Sequence, residues 1–369
     1  ILRNAKGKNP NLKTVLTGCI AQVEKEKLVE NDFTDIVIGN AEKLEIAKYL
    51  SGNSIVAASD IMHKTDFDMI SLTDTSKTRI SLKIQDGCDN RCSYCIIPFA
   101  RGKSRSANLE FIKEQINNFA IHGFKEVVLT GIHIGQWGKD IGLKFIDLIK
   151  ELEDTNILRY RLGSLNPLEI DDKLLDLLSK SKKFCPHFHL SLQSACNKTL
   201  KSMNRFYTVE TYLEQINKIN SIFDLPFIGS DIITGFAGET EDDFNTTYKN
   251  LEKSGLTQIH TFPYSIREGT TGAKMENQVS EKIRQERAEK VKKLSAEKYN
   301  NFIKQNIGKV CEILIEKHPD KKTGMLKGVT RNYLTVLLNS NDQNLLNTIK
   351  NAEIIKVENG KIFAQLKRL

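Results

Sequence analysis

A chain of 369 residues with 40% hydrophobic side chains can bury a sizeable core and is long enough for two or three domains. No run approaches the roughly eighteen apolar residues of a membrane-spanning helix, and no basic stretch leading into an apolar one opens the sequence, so neither a membrane nor a secreted protein is expected. The net charge of +8 is uneven: from Ile303 to Leu369, twelve Lys and Arg stand against six Asp and Glu, which suits a polyanionic partner and equally a solvated surface. The seven cysteines, three of them clustered, read as reduced thiols or metal ligands rather than staples. The chain starts at Ile1, mid-pattern, and is expected to lack an N-terminal piece.

At the start, "KTVLTGC" (13–19) and "FTDIVIGN" (33–40) each look like a buried strand followed by a turn, and "AEKLEIAKYL" supplies a helix. Residues 1–70 therefore read as part of an α/β domain, joined onward through the polar stretch from Ser59 to Lys77. Over residues 78–305 a strand-then-helix rhythm repeats six times. The strands are "RISLKIQ" (79–85), "EVVLTG" (126–131), "LRYRLGS" (158–164), "HFHLSLQ" (187–193), "FIGSDIITG" (227–235) and "TQIHTFPYS" (257–265). Between them "NLEFIKEQINNFAIHG" places Phe111, Ile112, Ile116 and Phe119 at helical spacing, "VETYLEQINKINSIF" and "TEDDFNTTYKNLEKSG" behave likewise, and Gly123 and Gly255 sit where helices should stop. Such alternation means parallel pairing with right-handed crossovers, and six units predict an open or partial (β/α)6 barrel.

Barrels of this kind keep their chemistry at the C-terminal ends of the strands. Those ends read "QDGC", "TGIHIG", "GSLNP", "LQSAC", "TGFAGE" and "PYSIREGT", all rich in the glycine and small polar residues that let a ligand approach the backbone. Then "SEKIRQERAEKVKKLSAEKYNNFIKQNIG" (280–308) is a long charged helix with an apolar stripe of Ile283, Val291, Leu294 and Phe302. After Gly308 the period changes, and "KVCEILIEK", "GMLKGVT", "YLTVLLN", "AEIIKVENG" and "KIFAQLKRL" predict a small antiparallel β-barrel over residues 306–369.

Cys88, Cys92 and Cys95 follow the pattern CxxxCxxC at the end of the first barrel strand. Thiolates are the standard ligands of iron–sulfur clusters, and a 4Fe–4S cubane held by three of them leaves one iron free to bind a small chelating molecule. A structural zinc ion would need a fourth ligand, for which Cys185 and Cys196 are candidates about ninety residues away. An electron-transfer ferredoxin would cap all four irons.

CxxxCxxC after the first strand of a partial barrel resembles the signature of radical S-adenosylmethionine enzymes. The resemblance implies that Cys88, Cys92 and Cys95 hold a 4Fe–4S cluster whose unique iron is chelated by the amino and carboxylate groups of S-adenosylmethionine, with release of a 5′-deoxyadenosyl radical. It further implies that Tyr94 is the aromatic residue between the last two cysteines, that Thr130 and Gly131 of "TGIHIG" meet the methionine amino group, and that Ser191 and Gln193 of "LSLQS" meet the ribose. Asp231 of "DIITGF" would lie by the adenine and Arg205 of "KSMNR" would pair with the methionine carboxylate, although an arginine on a helix surface reads equally well.

"GCDNRCSYCIIPFARGKSRS", "KEVVLTGIHIGQWG", "HFHLSLQSACNKTLKSMNR", "DIITGFAGETEDDF" and "FPYSIREGT" together resemble the methylthiotransferases, nearest to those acting on N6-threonylcarbamoyladenosine in tRNA. The resemblance covers nearly the whole chain and identifies the terminal β-barrel with the family's RNA-binding TRAM module. It implies that Cys19 in "LTGCIAQ" is one of three ligands to a second 4Fe–4S cluster, the other two lying before Ile1; without it, a lone cysteine after a strand is usually a buried thiol. Ala195 stands where the family commonly has Gly, Ala237 where it has Pro, and Asn166 where relatives often carry Glu. The implied reaction adds a methylthio group to C2 of the modified purine immediately 3′ of the anticodon, using S-adenosylmethionine twice and an electron donor such as flavodoxin or ferredoxin, in the cytoplasm. Lys309, Lys317, Lys321, Lys322, Lys327 and Arg331 are the candidate tRNA contacts. Isopentenyladenosine in tRNA, an aspartate of a ribosomal protein, and a non-catalytic RNA-binding role with a structural cluster are the rival readings.

Overall fold

The computed structural model describes residues 1–51, 55–70 and 76–367. At the N-terminal end, Val15–Thr17, Ile36–Ile38 and Ile55–Ala57 form a three-stranded parallel sheet in that spatial order. Ile36, Val37 and Ile38 are all buried, as a central strand covered on both faces requires. The third strand was not expected, being too short to show a period. The expected helix over 41–50 shrinks to a 3-10 turn at Lys43–Glu45 and one helical turn at Ile46–Tyr49. With Leu44 and Leu50 exposed, it buries too little apolar surface to hold more. Within the polar connection, Asp60 caps a short turn whose Ile61 is buried; positions 71–75 of that stretch lie outside the described residues.

The barrel strands follow one another in parallel around the sheet. Arg79–Lys83 pairs with Glu126–Thr130, which pairs with Arg159–Leu162; Ser164–Leu165 pairs with His187–Leu190, then Phe227–Thr234, then Gln258–Pro263. The predicted third strand is thus two, hinged at Gly163. Its N–H donates to the Leu129 carbonyl at 2.9 Å, and a Cβ there would sit 2.9 Å from the same oxygen, so only glycine lets the strand change neighbours. The helices begin where the sequence supplies caps: the Asn108 side chain accepts from Glu110 and Phe111 N–H ahead of Leu109–Ile121, and Thr240 and Asp243 form a capping box for Glu241–Lys253. Ile112, Ile116 and Phe119 enter the main core with strand residues such as Leu82 and Leu129.

The long helix spans Glu281–Asn306 behind a Ser280 cap. Val291, Leu294 and Phe302 are buried as expected, but Ile283 is exposed. Arg284 and Arg287 are buried instead, because this end of the helix lies over strand termini with carbonyls and carboxylates to satisfy. Arg284 donates to the Tyr264 carbonyl at 3.0 Å, and Arg287 meets Glu239 at 2.7 Å.

The terminal strands Val310–Ile315, Leu326–Thr330, Thr335–Leu338, Ile349–Glu358 and Lys361–Leu366 close into a five-stranded barrel. It is not wholly antiparallel as expected: the third and fifth strands run parallel, Val336 opposite Ile362. A closed ring of five cannot alternate direction throughout, so one neighbouring pair must be parallel. This barrel docks on the N-terminal ends of the large-barrel strands. Phe227 enters the small barrel's core, the Tyr333 ring lies 4.3 Å from that of His187, and Asn347 donates to the Gly123 carbonyl at 3.0 Å.

Candidate active site

Cys88, Cys92 and Cys95 line one cavity of about 210 Å3 beyond the C-terminal ends of the strands, together with Asn90, Tyr94, Ile97, His133, Asn166, Ser191, Gln193 and Arg205. The loop that carries them is fixed by its backbone: Cys88 N–H donates to the Gly102 carbonyl at 3.0 Å, Cys95 N–H to Cys92 at 3.0 Å and Ser93 N–H to Met203 at 3.0 Å. Gly87 makes the loop possible. Its φ is +74° and a Cβ would meet the Lys103 carbonyl at 1.9 Å. Burial pushes the Cys95 thiol up to about 11, so this thiol ionises at neutral pH only when a metal takes the proton's place.

Several expected neighbours converge on the thiols. Arg205 reaches the Cys92 sulfur at 3.4 Å and the Ser191 carbonyl at 3.2 Å, with its Nε on the Tyr207 hydroxyl at 3.0 Å. It therefore points into the cavity rather than lying on a helix surface. Tyr94 packs edge-on against Phe236 and lines the wall, Ser191 shares a 2.7 Å hydrogen bond with Ser164, and Gln193 holds a left-handed φ of +74°. The Gln193 backbone is pinned on both sides, donating to Asp231 and accepting from Ile233 at 2.8 Å each, which is how strain at a site is sustained.

Others lie apart. Thr130 donates to the Leu82 carbonyl, and Gly131 packs against Gln85 and Ile134; the cavity is lined by the next two residues, Ile132 and His133. Asp231 is not in the lining but is paired with His189 at 3.0 Å. Cys185 is buried beside Glu126 and Cys196 beside Asp243, so neither joins the three thiols as a fourth ligand. Cys19 opens the helix Cys19–Val23, where Arg101 Nε lies 3.2 Å and Asn40 Nδ2 3.9 Å from its sulfur. Asn40 also donates to the Ala100 carbonyl at 2.7 Å, which seats Cys19 against the helix that follows the three-cysteine loop.

His133 and Glu169 were not singled out from the sequence. His133 Nδ1 lies 3.8 Å from the Cys88 sulfur and 3.4 Å from Asn90, while Nε2 pairs with Glu169 at 2.5 Å. Burial alone would lower the His133 pKa, but the Cys88 and Glu169 contacts outweigh it and raise it to about 9. Glu169 also accepts from Asn166 N–H at 2.9 Å, half of a capping box that opens the 3-10 turn Pro167–Glu169. Ala195 and Ala237 are both buried and accommodated. Only the position of His133 within "TGIHIG" could have marked it.

The candidate RNA contacts divide sharply. Arg331 donates to the Lys182 and Phe184 carbonyls and pairs with Glu312, so it fastens the two barrels instead of facing solvent. Lys327 pairs with Glu316 at 2.9 Å, Lys309 with Asp224 at 3.8 Å, and Lys317 lies over the Phe124 ring. Lys321 and Lys322 are exposed and make no ion pair among the described residues.

The Radical SAM superfamily model matches residues 82–251. The chain is 37% identical over 97% of its length, and 84% of the relative's, to threonylcarbamoyladenosine tRNA methylthiotransferase MtaB of Rickettsia prowazekii. It is 34% identical, over 96% of its length and 81% of the relative's, to MtaB of Bacillus subtilis. It is also 33% identical to the tRNA-2-methylthio-N(6)-dimethylallyladenosine synthase of Pelotomaculum thermopropionicum, covering 94% and 80%. Among solved structures, the cobalamin-dependent S-adenosylmethionine radical enzyme OxsB overlays 78% of this chain and 45% of its own at a TM-score of 0.47 and 12% identity. No helix among the described residues is long and apolar enough to cross a membrane. Three thiols in one cavity at the mouth of a parallel barrel, in a chain this similar to such enzymes over nearly its whole length, make it a member of the radical S-adenosylmethionine methylthiotransferase family.

Proposed function

We propose that this protein transfers a methylthio group to C2 of N6-threonylcarbamoyladenosine, the purine immediately 3′ of the anticodon in tRNA. The observation that carries the reading is the cavity in which Cys88, Cys92, Cys95 and Arg205 meet, in a chain 37% identical to a threonylcarbamoyladenosine tRNA methylthiotransferase. The donor set fits a 4Fe–4S cluster: three thiols, no fourth cysteine within reach among the described residues, and a cationic guanidinium beside one sulfur. When bound, such a cluster supplies the electron that splits S-adenosylmethionine into methionine and the 5′-deoxyadenosyl radical. Cys88, Cys92 and Cys95 hold it; Arg205, already directed inward, offers its planar fork to the methionine carboxylate. Tyr94, Ile97 and Leu165 supply hydrophobic lining to the cavity. Cys19 is one ligand of a second cluster, with Arg101 and Asn40 as donors to its sulfur. A small electron-transfer protein is the reductant, and the reaction takes place in the cytoplasm.

Reconstituted protein mixed with S-adenosylmethionine and a reductant should form 5′-deoxyadenosine, and Cys88→Ala, Cys92→Ala or Cys95→Ala should each abolish it. Mass spectrometry of tRNA nucleosides from cells lacking the protein should show threonylcarbamoyladenosine without its methylthio form. Loss of the methylthio group from isopentenyladenosine instead would transfer the reading to the other tRNA substrate.

A further inference from the structure

A second cavity of about 230 Å3 adjoins the first, sharing Asn90, Cys92, His133, Asn166 and Arg205. Three features of its wall are left over once the first cavity has been accounted for. Gln136 is buried, only 8% exposed, and its Oε1 has no hydrogen-bond partner among the described residues. Lys139 is exposed and its ammonium makes no ion pair among the described residues. Phe206 is 75% exposed, between Arg205 and Tyr207, whose side chains both turn inward.

The other charges here are committed. Arg205 is directed to the first cavity and to the methionine carboxylate proposed there, His133 pairs with Glu169, and Glu169 is shared between His133 and the Asn166 N–H. Lys139 stands on a fixed platform, a 3-10 turn (Lys139–Ile141) bounded by Gly138 and Gly142 in left-handed conformations. The neighbouring Asp140 accepts from Ser106 N–H at 2.9 Å, and Gly138 N–H donates to the Ser106 hydroxyl at 2.8 Å.

A buried acceptor without a donor and a cation without an anion among the described residues, the cation carried on a fixed turn, together with an exposed ring, are complements of three groups on one molecule. A threonylcarbamoyl purine carries urea N–H donors, a carboxylate and an aromatic face that stacks once the base leaves its helix. We propose that this second cavity receives the N6 side chain of the substrate nucleoside and that Lys139 is the specificity-determining cation for its carboxylate. Gln136 Oε1 accepts from the urea N–H, and Phe206 stacks on the purine. A branched hydrocarbon in the same place would leave Gln136 unpaired and set methyl groups against an ammonium, so the wall selects against it. The inference rests on the substrate class proposed above and assigns its recognition to named side chains.

The test is binding, not turnover. Three anticodon stem-loop RNAs are compared on the full chain at fixed salt: one bearing threonylcarbamoyladenosine, one bearing its methyl ester, and one bearing plain adenosine. The parent should bind the acid about five- to tenfold more tightly than the ester, the gain expected for one charge-assisted hydrogen bond in a half-open site. Lys139→Met should bring acid and ester to the same affinity, and Lys139→Arg should restore the gap. Gln136→Met should weaken acid and ester by one common factor while leaving plain adenosine unchanged. An acid-to-ester ratio that survives Lys139→Met, or a parent that prefers both modified RNAs to plain adenosine without separating acid from ester, overturns the role of Lys139 and leaves the substrate reading standing. A parent that binds all three RNAs alike overturns the substrate reading itself.

Discussion

Replacing Glu126 by Gln should loosen the joint between the two barrels. The Glu126 carboxylate is fully buried and lies 2.7 Å from Arg159 Nη2 and 2.8 Å from Arg161 Nε, both side chains being 1% exposed. Both arginines continue into the terminal barrel, Arg159 donating to the Val329 carbonyl at 3.2 Å and Arg161 to those of Thr330 at 2.7 Å and Arg331 at 2.6 Å. Glu126→Gln keeps the volume but leaves two buried guanidiniums facing a neutral amide. Breaking one side of a buried ion pair costs about 3–5 kcal/mol. With 369 residues the entropy of unfolding is about 0.8 kcal/mol/K, so about 4 kcal/mol lowers Tm by about 5 °C. Burial alone would raise the Glu126 carboxyl; Arg161 and Arg159 outweigh it and hold it below its ordinary 4.5. A carboxylate depressed in the folded state contributes stability above its unfolded pKa and loses it as the pH falls through the folded value. The gap between parent and variant should therefore be full at neutral pH and close as the pH falls below about 4.5. Urea unfolding from pH 7 down to pH 3, with proteolysis at the 306–310 junction, measures both. A Glu126→Gln protein within about 1 kcal/mol of the parent at pH 7, or a gap that persists unchanged into acid, would refute the reasoning.

Other changes separate fold from function. Gly87→Ala forces a left-handed φ on a residue whose Cβ collides with the Lys103 carbonyl, and should lower both Tm and the iron bound per chain on reconstitution; full iron content at the parent Tm would contradict it. Arg331→Ala should lower Tm without altering the salt dependence of tRNA binding, whereas Lys321→Ala with Lys322→Ala should leave Tm within a degree and flatten the log K against log salt slope by about 1.4 to 1.8. The reverse pattern would mean that Arg331, not the lysines, meets phosphate. Combining Lys139→Met with the double lysine change should give additive losses of RNA affinity, within about 0.5 kcal/mol, because the two sites share no partner; strong coupling would place them on one contact surface.

The strand-and-helix rhythm was legible because strands such as Glu126–Thr130 and helices such as Leu109–Ile121 carry their own period and caps. The break at Gly163 was not, since it depends on the approach of the Leu129 carbonyl from another strand. Cys88, Cys92 and Cys95 announced themselves by spacing. That Arg205 points into the cavity and not along a helix surface shows only in its contact with Cys92. Thr130, Gly131 and Asp231 lie outside the cavity lining: a motif marks a turn, but which of its residues faces the cavity is set by how the strand ends. Charge counting erred most at Arg331, because a count cannot separate a lysine in water from an arginine spent on a neighbour's carbonyls.

The docking geometry bears on how an RNA substrate is held. The thiol cavity opens beyond the C-terminal ends of the barrel strands, while the terminal barrel is fastened at their N-terminal ends through Glu126, Arg159 and Arg161. A strand of eight residues such as Phe227–Thr234 spans about 26 Å, so no single nucleoside touches both ends. The terminal segment's surplus of positive charge is also thinner than its composition implies. Lys309, Lys327, Arg331, Lys356 and Lys367 are each paired with a carboxylate, which leaves Lys304, Lys321, Lys322, Lys350 and Lys361 without ion pairs among the described residues. A handful of phosphate contacts means a modest grip with a shallow salt dependence, and it carries no sequence information. That grip raises the local concentration of whatever base lies at the other end, and discrimination falls to the cavity. On the proposed function, contact with the RNA body and discrimination of the purine are carried by opposite ends of the same barrel.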